Sequence, residues 1–107
     1  MNITPAAHEV IILGMTAEGR RFRPSDWAQR LAGVAARFRP GGGDWRVLGY
    51  SPWCTPTRID GAGAVIVHTD LRDNEPMAWD FLMGFAHDNY LQCFYGEAAA
   101  PTDGNNP

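Results

Sequence analysis

The chain contains no lysine; all nine of its basic residues are arginine. It has two cysteines, Cys54 and Cys93, and no apolar run longer than a few residues. Each shortage excludes something. The apolar run Val10-Ile11-Ile12-Leu13 is far short of the roughly 20 residues that a membrane helix needs. The first twenty residues have no basic start followed by an apolar core, the pattern of a secretory leader, so a cytoplasmic location is expected. Two cysteines beside aromatic residues (Trp53-Cys54, Cys93-Phe94) read as buried free thiols, not as a disulfide framework. The three histidines, His8, His68 and His87, have no partner at metal-ligand spacing. No HExxH and no paired CxxC occurs, so neither a metal nor a cofactor is implied.

What is present is an ordinary globular composition over 107 residues, 45% hydrophobic and 20% charged. That length fits a single domain with one core. The charge is unevenly spread. Residues 1–58 carry eight arginines and four acids, and residues 59–107 carry one arginine and eight acids, which leaves +4 and −7 for a net −3.

Residues 1–7 and 96–107 read as flexible tails, the second with no apolar anchor larger than alanine. Between them lies one domain, residues 8–95. His8 to Met15 predicts a central strand covered on both faces. Ala17-Glu18-Gly19 is a turn, and Arg20-Arg21-Phe22 a short returning strand. Pro24-Ser25-Asp26 opens a helix with Ser25 as its cap. Trp27, Leu31, Val34 and Phe38 then form one apolar stripe. Pro40 and Gly41-Gly42-Gly43 end that helix. Trp45 to Tyr50 and Thr55 to Ile59 read as extended, with Pro52 and Pro56 pointing to edge or irregular strands. Asp60-Gly61-Ala62-Gly63 makes a hairpin turn into a second central strand, Ala64 to Thr69. Asp73-Asn74-Glu75-Pro76 starts a second helix that runs to about Asn89. Met77, Ala78, Phe81, Leu82 and Phe85 form its buried face. Leu91 to Tyr95 is a last short strand. The expected fold is α+β, with two helices packed on one face of a small, mainly antiparallel sheet. The ferredoxin-like split βαβ arrangement is the nearest named architecture.

Chemistry has few places to reside. Cys54 as a nucleophile requires a neighbouring base, which only the fold can supply. The acids around Asp73 are explained by helix capping. Gly41-Gly42-Gly43 follows a helix, the reverse of a phosphate-binding order. Catalytic residues are therefore not assigned. Two surface groups stand out. Arg20, Arg21, Arg23, Arg30, Arg37 and Arg39 lie in a window with few acids, and Arg23, Arg30 and Arg37 share one bearing. They are the candidates for RNA or another anionic ligand, although the overall acidity opposes nucleic-acid binding. Trp53, Trp79, Met83 and Tyr90 are the candidates for a partner interface, because the second helix has more apolar surface than one sheet face can cover.

The runs Gly19-Arg20-Arg21-Phe22-Arg23-Pro24-Ser25-Asp26-Trp27, Phe38-Arg39-Pro40, Tyr50-Ser51-Pro52 and Glu75-Pro76-Met77-Ala78 with Phe81-Leu82-Met83 resemble a family of short proteobacterial proteins known as a domain of unknown function. The resemblance spans roughly residues 8–95. It implies a stand-alone bacterial cytoplasmic protein and brings no catalytic residue with it. The expected function is a small non-enzymatic interaction or regulatory module, with a homodimer or another protein as partner and no membrane. RNA or anion binding through residues 20–46 is the alternative.

Overall fold

The computed structural model describes residues 3–100, with the backbone alone for 45 and 46. The outermost residues of the two expected tails and the side chains of Trp45 and Arg46 lie outside the described residues. Eight elements follow in order: β1 (Glu9–Thr16), α1 (Trp27–Ala35), α2 (Trp45–Leu48), β2 (Cys54–Ile59), β3 (Ala62–His68), α3 (Thr69–Asn74), α4 (Pro76–Asp88) and β4 (Leu91–Tyr95). The four strands form one sheet in the order β2-β3-β1-β4, every neighbour antiparallel. β1 and β2 thus run parallel with β3 between them, which is the split βαβ arrangement.

The two β-branched runs occupy the middle of the sheet because only central strands are covered on both sides. Val10, Ile12, Val65 and Val67 face the helices and join Trp27, Leu31, Leu71 and Leu82 in the main core. Ile11, Leu13, Ala62 and Ala64 face the other way and form a second cluster with Ile3, Ile59 and Phe94. β2 is an edge strand, so Pro56 pairs in register with Val65 without interrupting a ladder on its far side. Asp60 and Gly61 both have positive φ (50 and 82°), as a two-residue type I′ hairpin requires.

Several local expectations are corrected. Arg20 to Phe22 does not form a strand; a single bridge joins Arg21 to Met15. The stretch from Trp45, expected as extended, begins with the short helix α2. Thr69, expected to end a strand, instead opens the separate helix α3, capped by the His68 imidazole, which accepts from the Asp70 amide at 3.0 Å. Ser25 is not the cap of α1. Asp26 holds that position, and its carboxylate pairs with Arg30 at 3.0 Å instead of capping.

The buried face of α1 is Trp27, Ala28, Leu31, Ala32 and Ala35, with Val34 left outside. Alanines win the sheet-facing arc because a helix with small side chains there lies closer to the strands. α4 buries Ala78, Leu82 and Ala86, and Met77 and Phe81 point outward. The chain beyond β4 is also held. Gly96 N–H donates to Glu9 O (2.7 Å) and Ala98 N–H to Ala7 O (2.8 Å), and Ala99 is buried against the main core. Residues 96–100, expected as the start of a tail, are thus held by backbone hydrogen bonds, for which small side chains are no handicap.

Candidate functional site

α1 and α4 lie side by side on the sheet. At one end Trp27 stacks on Phe85 with ring centres 6.1 Å apart, and Phe22 meets both rings edge-on at 5.5 and 5.8 Å. Such edge and offset-stacked contacts fix the three rings relative to each other. Outside this aromatic end, the space between the helices is open. One hollow of about 330 Å³ is lined by Arg23, Pro24, Arg30, Leu31 and Val34 with Phe81 and Phe85. A second of about 320 Å³ continues it past Val34 and Phe81 to Arg37, Phe38, Met77 and Leu82. Because Val34 and Phe81 border both, the two form one groove. Met77, Val34 and Phe81 are 85, 55 and 51% exposed, so the groove presents large apolar side chains to solvent.

Its α1 wall is basic. Arg30 lies within α1, Arg23 comes before the helix and Arg37 just after its end, and all three border the groove. Arg30 is tethered to Asp26. Among the described residues, Arg23 and Arg37 make no ion pair. The other three arginines of the group lie elsewhere. Arg21 donates to the Gly61 carbonyl (3.2 Å) at the β2–β3 turn. Arg39 donates to the carbonyls of Gly49 (2.9 Å) and Tyr50 (3.3 Å), ahead of β2. Those contacts sit at opposite ends of β2. Arg20 borders a separate hollow with Thr16, Glu18 and Tyr90. The six arginines therefore do not form the continuous positive face that a nucleic-acid reading expects; three line the groove, two bind loop carbonyls and one stands apart.

The expected interface residues are also redistributed. Trp79 and Met83 are partly buried against the main core. α3 supplies part of the cover for Trp79, whose ring lies 5.7 Å below the Arg72 guanidinium carbon. Trp53 packs on the same core from the loop before β2. Of the four, Tyr90 alone is strongly exposed, at 75%, in a left-handed conformation just past α4 (φ 57°). Met77 and Phe81 take the outward place. Their breadth of apolar arc was visible in the sequence, but the rotation of α4 was not.

The thiols are chemically quiet. Cys54 is fully buried, and the loss of water pushes its pKa up to about 12. Its side chain faces the helices beside Val67, whereas the next residue of β3, His68, faces the opposite side of the sheet. Burial also raises the Cys93 thiol. His8 and His68 stack with ring centres 6.0 Å apart at the end of β1 and β3. Among the described residues, no group of three or more histidines, cysteines and acids is placed to hold a metal ion. No described helix is long and apolar enough to cross a membrane.

Residues 6–95 match a family model described as a protein of unknown function, DUF3579. A solution structure described as the first structural representative of its family is similar over 94% of this chain and 90% of its own, at 32% identity and a TM-score of 0.70. No curated protein matches.

Proposed function

The chain belongs to the DUF3579 family, whose function is unknown, and from its surface we propose that it is a small non-enzymatic interaction module that docks protein in the groove between α1 and α4. The observation that carries this reading is the coincidence, in one groove, of exposed Met77, Phe81 and Val34 with Arg23, Arg30 and Arg37. An apolar trough fixed at one end by packed aromatic rings suits an amphipathic helix laid lengthwise. The arginine row selects a partner with acids on the matching edge. RNA binding has less support. Three of the five aromatic side chains that line the groove, Phe22, Trp27 and Phe85, pack on each other, and the remaining arginines are spent on loop carbonyls or stand apart.

The test places a photo-crosslinking amino acid at Val34 or Phe81 of the full chain in its native cells, with Arg58 on the edge strand as control. Protein adducts at Val34 and Phe81, lost when Arg30 and Arg37 are both changed to Glu, are the expected result. Adducts equally strong at Arg58, adducts indifferent to the charge reversal, or adducts mainly with nucleic acid would overturn the reading.

A further inference from the structure

The outward crests of α1 and α4 share an unexplained feature. Gly33 lies in the interior of α1 and Gly84 in the interior of α4, and a Cβ at either would meet nothing within 4 Å. Neither has a positive φ. Glycine inside a helix costs about 1 kcal/mol relative to alanine. Within one molecule nothing offsets that cost, because no neighbour needs the space. Glycines on a helix crest do permit another helix to come close.

The charges around the two crests are opposite. Arg30 and Arg37 flank Gly33, with Asp26 the acid on that side. Asp80 and Asp88 flank Gly84, with Glu75 at the start of α4. The split of charge along the sequence thus becomes a split between two parallel ridges of one surface. A surface with one basic and one acidic ridge, an apolar groove between them and a gap on each crest is complementary to itself after a half-turn.

We infer that the partner in the groove is a second copy of this chain, in a twofold dimer that sets α1 of each copy against α4 of the other. The inference rests on the docking role proposed above and names its occupant. In a twofold interface every contact occurs twice, so each basic ridge meets an acidic ridge both times. Phe81 and Met77 of each copy are covered in the groove of the other, and the glycine crests allow close approach of the helices.

Sedimentation equilibrium of the purified full chain over a range of concentrations and salt tests this. The wild type should dimerise, more weakly as salt rises. Gly84→Leu should abolish the dimer while leaving the urea midpoint of the monomer equal or higher, because leucine favours helix over glycine. A chain carrying Arg30→Glu and Arg37→Glu, and a second carrying Asp80→Arg and Asp88→Arg, should each be monomeric. Mixed in equal amounts they should form the heterodimer, since the reversed ridges match each other. A wild type that stays monomeric at millimolar concentration overturns the inference. So does a dimer that is indifferent to Gly84→Leu and to both charge reversals. If self-association fails and crosslinks at Val34 and Phe81 to another protein persist and remain sensitive to charge reversal, the second copy is excluded and the docking groove stands. If both fail, the groove reading falls as well.

Discussion

A Cβ on Gly14 would overlap the indole nitrogen of Trp27 and approach the Gly63 carbonyl to 2.6 Å. Two glycines on neighbouring central strands thus make a flat floor, and the largest side chain of the core rests on it. Trp27 in turn sets the position of Phe85 and the aromatic end of the groove. Gly14→Ala is expected to destabilise the protein by about 1–3 kcal/mol, the usual cost of overpacking where backbone has to move. Urea unfolding measures it. A loss below about 0.5 kcal/mol would show that the indole has room to shift.

The same indole carries a buried N–H with no hydrogen-bond partner among the described residues. An unsatisfied buried donor costs about 1–3 kcal/mol. Trp27→Phe removes that donor while keeping an aromatic ring, so the gain offsets much of the lost volume. The expected net change is within about 1 kcal/mol, against about 3–5 kcal/mol for Trp27→Ala, which empties the site. A Trp27→Phe loss as large as that of alanine would mean that the N–H finds a partner in solution.

The strands and the sheet they form were legible because period and punctuation agree. Val10–Leu13 and Val65–Val67 are continuous apolar runs bounded by turn residues, and they became the two central strands. Pro56 marked an edge and lies on one. The groove was legible only in halves. The seven-residue spacing of Arg23, Arg30 and Arg37 can be read in the sequence, but only Arg30 lies inside α1, and the turns at the two ends of the helix bring the other two to the groove. The apolar half of the groove is not legible there: Trp53, Trp79 and Met83 are partly buried, while Met77 and Phe81 are exposed in the groove. α4 is apolar round most of its circumference, so its sequence fits several rotations, and the choice among them is made by neighbours. α3, six residues long and unforeseen, covers Trp79, which moves the exposed arc to Met77 and Phe81. Helix phase in such a case is a property of the packed molecule.

Cys54 predicts a pH dependence. In the unfolded chain its thiol ionises near the ordinary value of 9.0, and in the folded protein at about 12. Between these limits unfolding releases a proton, so stability falls as pH rises and is fully retained below about 9. The shift bounds the loss at roughly 4 kcal/mol. Urea midpoints followed from pH 8 upward should fall more steeply for the wild type than for Cys54→Ala, although the variant starts lower because of the cavity it leaves. Identical slopes would show that the thiol reaches water in the native state. A thiol reagent at pH 8 should leave native Cys54 unmodified.

Gly96 tests how the chain beyond β4 is held. A Cβ there would run into the carbonyl oxygen of Ala6 and come within 2.6 Å of that of Ala7, both of them backbone atoms. No side chain can swing aside to relieve the overlap, so Gly96→Ala must push the two segments apart. The hydrogen bonds of Gly96 to Glu9 and of Ala98 to Ala7 then open, and Ala99 leaves its buried place. These contacts lie at one end of the sheet, beyond the ladder between β1 and β4, so the loss should be local. Hydrogen exchange at the amides of Gly96 and Ala98 should rise at least tenfold, while Ile12 and Val65 in the central strands keep their protection. Uniform acceleration across the sheet would instead show that the clasp is part of the cooperative core, and unchanged exchange at Gly96 and Ala98 would show that the two segments are not joined in solution.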